Sequence, residues 1–190
     1  VTAAPWPGDK RSALAADHIL DVAAQLFLEH GATAVNMNQI ASAAGCSRAT
    51  LYRYFPSRSE LQMKYIEREA RTLSRRIADQ VADITARDSR ITGAILMAVE
   101  GVRADPVLHS WFSPDTAGLA GALGSSSQLV NKIAAAFLSV DDDAAPVEPN
   151  LPGKFMVRII VSLLMTPGAD VAEERELVER FVTPAVVDSL

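Results

Sequence analysis

Cysteine and histidine are the scarcest reactive residues here: Cys46 stands alone, and His18, His30 and His109 are the three imidazoles of the 190-residue chain. A single cysteine closes no intramolecular disulfide, and a reducing interior is its simplest compartment. With no His beside it, Cys46 reads as a packed thiol rather than a nucleophile or a redox sensor. No two histidines have metal-ligand spacing, so neither a zinc nor a haem site is expected. A G-x-S-x-G elbow and a glycine-rich phosphate loop are both missing, and the chain is expected to be no enzyme and to need no cofactor. The longest apolar run, near residues 155–165, carries Arg158 and is too short to span a bilayer. The opening VTAAPWPGDKR has no apolar centre for a signal peptide. A soluble cytoplasmic protein with no membrane partner is the expectation.

Aromatics make up only 6% of the residues against a hydrophobic content of 49%, and Ala, Leu and Val dominate the apolar set. With no alternation of period two anywhere, this favours an all-α chain. The net charge of −5 is unevenly spread. Residues 1–76 hold ten Lys or Arg against seven Asp or Glu, a balance of +3, and residues 77–190 hold eight against sixteen, a balance of −8. Two readings fit: a basic end that meets phosphate on an acidic body that does not, or ordinary scatter.

Residues 1–11 form an arm in which Pro5, Pro7 and Gly8 oppose regular structure and Lys10 and Arg11 supply charge. It either touches a nucleic-acid groove or is simply solvated. From about Ala13 to His30 a helix is expected, since Ile19, Val22, Ala23, Leu26 and Phe27 share one face, and Gly31 closes it. Asn36 with Gln39 approximates a capping box. Ile40, Ala41 and Ala44 follow at helical spacing, Gly45 turns the chain, Ser47 offers a fresh cap, and Leu51 and Phe55 face inward until Pro56 stops the second helix. With Leu51 pointing inward, Ala49 and Arg53 point outward, flanked by Thr50 and Tyr52. Such a narrow polar face suits a DNA major groove of about 12 Å, where Arg and Thr meet base edges and a Tyr hydroxyl meets phosphate.

This helix-turn-helix resembles the TetR family of bacterial transcriptional regulators. The resemblance rests on the helix ending in Gly31, on I-A-x-x-A-G from Ile40 to Gly45, and on S-R-A-T-L-Y-R-Y-F-P-S-R-S-E-L from Ser47 to Leu61. Family members commonly carry Thr where Asn36 stands and a branched aliphatic where Cys46 stands; Asn caps as Thr does and Cys is a small hydrophobe, so the fold tolerates both. The resemblance implies a phosphate contact for Arg58. With it, Asn36, Asn38, Ser47, Arg48, Ala49, Thr50, Tyr52, Arg53 and Tyr54 make up the candidate DNA-contacting set.

Ser57 and Glu60 then open a long helix, with Met63, Ile66, Ala70, Leu73, Ile77, Val81 and Ile84 in one stripe to about residue 85. The expected domains are a DNA-binding head, 1–56, and a helical effector-binding and dimerisation body, 57–190. In the body, helices are expected over Ile91 to Arg103, from Asp105-Pro106 through Phe112, from Pro114-Asp115, and from Gln128 to Val140. A loop is expected from Asp141 to Gly153. Two closing helices follow, Phe155 to Thr166 and one from about Asp170 in which Pro184 imposes a kink. Ile159, Ile160, Leu163, Leu164, Leu177, Val178, Phe181 and Val182 make this pair more apolar than a monomer surface requires. Either it is core within one chain or, as the resemblance implies, it forms a four-helix homodimer interface. The resemblance also implies a cavity for a small apolar or amphipathic effector, for which Met97, His109, Trp111, Phe112, Phe137 and Phe155 are the candidate lining; for each taken singly, core packing is the simpler role. The function so implied is a ligand-responsive regulator, most often a repressor, released from a palindromic double-stranded DNA operator. The alternatives are a small-molecule-binding protein with a vestigial DNA head and, against the scattered histidines, an enzyme built on a helical bundle.

Overall fold

The computed structural model describes residues 7–31, 33–112, 126–138 and 151–189, with side chains from Ser12 onward. Every regular element among them is helical. Contacts divide the chain into a unit ending at Tyr65 and a unit beginning at Ile66, so the division falls inside a helix rather than at Pro56.

The first unit holds α1 (Pro7–His30), α2 (Met37–Ala43), α3 (Arg48–Tyr54) and the opening of α4 (Arg58–Val81). Residues 7–11, expected in a non-helical arm, belong to α1. Pro7 stands at the helix start, where its fixed φ is already helical and its missing N–H has no intrahelical partner to lose. The rest of the arm lies outside the described residues. Gly31 ends α1 at φ +82, donating its N–H to the Phe27 carbonyl at 2.9 Å.

The turn between α2 and α3 is fully specified by its capping residues. Asn36 Oδ1 accepts from the N–H groups of Asn38 and Gln39 at 3.0 and 3.1 Å, and Gln39 Oε1 accepts from Asn36 N–H at 2.8 Å, a complete capping box. At the other end Gly45 N–H donates to the Ser42 carbonyl and Cys46 N–H to the Ala41 carbonyl, the paired bonds of a Schellman turn. This needs a left-handed residue, and Gly45 sits at φ +65. Ser47 Oγ accepts from Thr50 N–H at 3.1 Å and starts α3; Phe55 is extended, as a residue preceding proline prefers to be. Ile19, Leu20, Ala23 and Phe27 of α1 are buried with Ile40, Ala41, Leu51, Phe55, Leu61 and Tyr65 in this unit. Because an L side chain at φ +65 is strained by about 1–2 kcal/mol, Gly45→Ala is expected to lower the melting temperature by a few degrees, measurable by circular dichroism.

The second unit continues α4 and adds α5 (Arg87–Ala104), α6 (Pro106–Ser110), α7 (Gln128–Leu138), α8 (Leu151–Met165), α9 (Val171–Leu177), a π-helical turn (Val178–Val182) and α10 (Thr183–Val187). The α4 helix ends at Val81, short of residue 85, and its 24 residues span about 36 Å. Asp105 caps α6, accepting from the N–H groups of Val107 and Leu108 at 2.9 Å each. The helix expected from Pro114 lies outside the described residues, as does 141–150. Where Leu151 to Gly153 were expected in a loop, α8 already runs; Pro152 is tolerated because it falls in the first turn.

The core of this unit sets Ile91, Ile95 and Val99 of α5 against Met156, Val157, Leu163 and Leu164 of α8, with Ala134, Leu138, Val178, Val182 and Val186. Pro184 does not simply kink the last helix. The turn before it widens, so that Thr183 N–H reaches back five residues to the Val178 carbonyl; this relieves the ring of the clash with the carbonyl four residues earlier that a regular helix would impose. Thr183 Oγ1 also lies 2.8 Å from Thr92 Oγ1 in a buried hydroxyl pair. At the other end of α5, Arg103 makes a two-pronged ion pair with Glu174, Nη1 to Oε2 at 2.8 Å and Nη2 to Oε1 at 2.6 Å, and Nη2 also donates to the Leu163 carbonyl at 3.0 Å. Gly168 N–H donates to Glu174 Oε1 at 3.0 Å. One guanidinium thus ties the end of α5 to both α8 and α9.

Candidate functional site

The outer side of α3 is where the sequence places nucleic-acid contact. Arg48, Ala49, Tyr52 and Arg53 are exposed, Thr50 and Tyr54 are half-buried, and Leu51 is fully buried. The seven-residue helix therefore presents a guanidinium at its first residue, another near its end and a phenol between them, with only the small methyl of Ala49 as an exposed aliphatic group among them. Ser47 and Thr50 face each other, Oγ to Oγ1, at 2.9 Å, so the cap and a candidate base-contacting hydroxyl are coupled.

Three candidates are partly occupied within the unit itself. Asn36 uses its carboxamide oxygen as the cap of α2, which leaves its amide nitrogen to face outward contacts; Asn38 is exposed beside it. Tyr54 turns toward α1: a hydrogen bond with Ser12, then Arg53 beside it, hold its phenol below the ordinary value, and the Arg53 guanidinium lies 5.3 Å from the ring centroid. Arg58 is half-buried and donates from Nη1 to the Thr33 carbonyl at 3.2 Å; burial lowers its pKa from the ordinary guanidinium value. Its guanidinium braces the loop ahead of α2, a role that its position in the motif does not reveal.

The second unit contains an apolar cavity of about 140 Å³. Of the six residues expected to line it, Trp111, Phe112 and Phe137 do so. Met97 instead packs with Ile77, Val81 and Ala94, while His109 and Phe155 are exposed. Most of the wall is aliphatic and lies outside that expected set: Ile66, Ala70, Leu73 and Ile77 from α4, Ala94, Ala98 and Val102 from α5, and Met156, Ile160 and Leu164 from α8. The α4 residues belong to the apolar stripe visible in the sequence, but a stripe looks the same whether it meets a neighbouring helix or a void.

The eight residues expected between protomers divide sharply. Leu163, Leu164, Val178 and Val182 are buried in the chain's own core, and Ile159 and Ile160 pack against it. Only Leu177 and Phe181 are exposed, at 41% and 62%. The apolar stripe on these helices is wider than one contact needs, and α5 takes its inner half. Among the described residues no helix is long and apolar enough to cross a membrane.

Residues 19–62 match the family model of bacterial regulatory proteins of the tetR family. Over 183 residues the chain is 42% identical to an HTH-type transcriptional regulator of Mycobacterium tuberculosis, a match covering 95% of this chain and 90% of that one. Its fold is similar to that of the TetR family repressor AlkX from a Dietzia strain, implicated in biodegradation of n-alkanes, with a TM-score of 0.59, 20% identity, and coverage of 91% of this chain and 96% of that one. It is similar also to the transcriptional regulator FadR from Bacillus subtilis in complex with stearoyl-CoA, with a TM-score of 0.52, 13% identity, and coverage of 91% and 98%. With a capped helix-turn-helix in its first unit and a relative of that identity matched over nearly its whole length, the chain belongs to the TetR family of bacterial transcriptional regulators.

Proposed function

We propose that the protein is a cytoplasmic, homodimeric repressor that binds a palindromic DNA operator through α3 and is released by a small apolar effector. The observation that carries the DNA-reading half is the outer face of α3, whose Arg48, Tyr52 and Arg53 side chains are exposed on a helix held between the Gly45 turn and Pro56. A two-fold dimer would set two such helices in successive major grooves, about 34–36 Å apart. Selection of bound fragments from random DNA tests this: the expected product is an inverted repeat whose retention falls steeply with salt, and recovery of no enriched sequence defeats it.

For the dimer, the exposed apolar residues are the guide. Phe155 and Met165 on α8 are 38% and 42% exposed, and Leu177 and Phe181 follow on the last helical segment, a set that a second copy would cover. Phe181→Asp is expected to shift the protein from dimer to monomer in sedimentation velocity and to weaken operator binding, since each half-site then binds alone. The cavity supports the effector-release half. An occupant that favours one arrangement of the body helices shifts the population between operator-binding and released states, and α4, which opens beside the helix-turn-helix and carries part of the cavity wall, is the element through which that shift would pass. Loss of retained operator on adding a cavity ligand is the outcome expected in a mobility-shift assay.

A further inference from the structure

We propose that the cavity takes a compact, neutral, hydrocarbon-like molecule, and that Leu73, seated in the notch at Gly101, sets the largest ligand admitted. This rests on reading the cavity as the effector site, and it narrows that reading to a chemical class and to one pair of residues.

The class follows from the wall. Among the described residues lining the cavity, none carries a charge, and the side-chain hydrogen-bonding groups are only the Ser74 hydroxyl and the Trp111 indole N–H. The helices that supply most of the wall use their backbone groups internally. A carboxylate or phosphate placed there would lose its water and meet no cation, whereas a hydrocarbon loses nothing on leaving water. Size narrows the class further. About 140 Å³ is close to the roughly 150 Å³ at which a dry apolar cavity takes benzene, and it is well below the roughly 300–1,000 Å³ of pockets that hold drug-sized ligands. A ring or branched hydrocarbon of about six to eight carbons matches this space on the same scale; a fused two-ring hydrocarbon exceeds it, and a long acyl chain with a charged carrier does not fit.

The size limit traces to one close approach between α4 and α5. A Cβ added at Gly101 would lie 2.3 Å from Leu73 Cδ1, 2.9 Å from Cδ2 and 3.2 Å from Cγ. These are clashes with the end of a flexible side chain, so the side chain rather than the helix gives way. Leu73 itself lines the cavity, as do Ala98 and Val102 of α5, so displacement from the notch carries its methyl groups toward the space a ligand would fill. Glycine weakens a helix interior, and at position 101 that loss is offset by the room it gives Leu73. Shortening Leu73 enlarges the cavity, and adding bulk at 101 reduces it.

Calorimetric titration of the 190-residue chain with toluene, naphthalene and sodium octanoate tests both parts, with the thermal transition recorded alongside. Toluene is expected to bind and to raise the melting temperature, and octanoate to bind at least tenfold more weakly. Leu73→Ala is expected to tighten naphthalene at least tenfold, and Gly101→Ala to weaken toluene by a similar factor. Should Gly101→Ala fold poorly, the Gly101→Ala, Leu73→Ala double variant removes the clash, and its expected recovery of toluene binding carries the same test. Octanoate binding as tightly as toluene overturns the ligand class. Unchanged ligand preference in Leu73→Ala, or in both variants at position 101, overturns the assignment of Leu73 and Gly101. Because these readouts need no DNA, toluene that binds without releasing operator sustains the ligand class and defeats only the effector-release reading.

Discussion

Alanine at both Arg48 and Tyr52 is expected to weaken operator binding by about thirtyfold or more per head, while the melting temperature stays within a degree or two of the parent. Both side chains are exposed on α3 and neither belongs to the buried set around Leu51 and Phe55, so their removal leaves that buried set intact. A base-edge interaction of Arg48 is worth roughly 1–3 kcal/mol and a Tyr52 hydroxyl bonded to a charged phosphate roughly 1.5–3 kcal/mol, so truncating both side chains costs about 2–6 kcal/mol, and the low end sets the lower bound above. The single variants should separate by kind. Tyr52→Phe removes a phosphate partner and weakens every operator alike, whereas changes at Arg48 or Thr50 alter which bases are preferred. Arg58→Ala is expected to act on the fold as well as on phosphate. Its Nη1 bond to the Thr33 carbonyl means that the loop before α2 loosens too, so a drop in thermal stability should accompany weaker binding. Filter binding across salt concentrations, with circular dichroism on the same samples, distinguishes these cases; a double alanine variant at Arg48 and Tyr52 that keeps parental affinity would remove α3 as the reading element.

Glu174→Ala should lower the melting temperature by about 6–12 °C. The carboxylate is 5% exposed and its Arg103 partner 29%, and removing one member of a largely buried pair costs about 3–5 kcal/mol. Arg103 is partly solvated, so the lower end applies, and for a chain of this size 1 kcal/mol moves the transition by about 2–4 °C. The variant also leaves Gly168 N–H without its acceptor. Acidity supplies a second readout. The hydrogen bonds from Arg103, and after them the Gly168 N–H, hold the Glu174 carboxyl below its ordinary 4.5, while Glu174 raises the pKa of Arg103. A carboxyl lowered on folding contributes stability that is fully present above its unfolded value and disappears as the pH falls through its folded value. The gap in melting temperature between the parent and Glu174→Gln should therefore be constant above the ordinary carboxylate range and close as the pH falls below it. A gap unchanged into strong acid would assign the stabilisation to packing instead of charge.

The helix-turn-helix is legible residue by residue because its signals are local. Asn36 and Gln39, Gly45, Ser47 and Pro56 act on backbone groups within a few positions of themselves, and each does in the fold what its chemistry requires. The start of α1 is not legible in the same way: Pro7 and Gly8 look like breakers, yet a proline in the first turn sacrifices no hydrogen bond. The same asymmetry carries α8 back to Leu151 through Pro152. Pro184 is visible as an obstacle, but a chain has two ways to accommodate a helical proline, bending or widening the preceding turn. Here the turn widens, and Thr183, whose N–H closes it, also meets Thr92 on α5.

Sequence alone determined the all-helical class, the capped reading motif and the family, because short-range hydrogen bonding and a specific string from Ser47 to Leu61 suffice for each. Tertiary structure decided which half of every apolar stripe faces inward. Leu163, Leu164, Val178 and Val182 went to the core and left Leu177 and Phe181 outside, and Leu73 packs against the cluster that holds Val81 while also lining a cavity whose wall does not include Val81. Helical periodicity records only that a side chain avoids water; whether it meets another helix, a second copy or an empty space depends on how far apart the helices settle, and at Gly101 the absence of a single carbon atom is what gives the Leu73 side chain its seat.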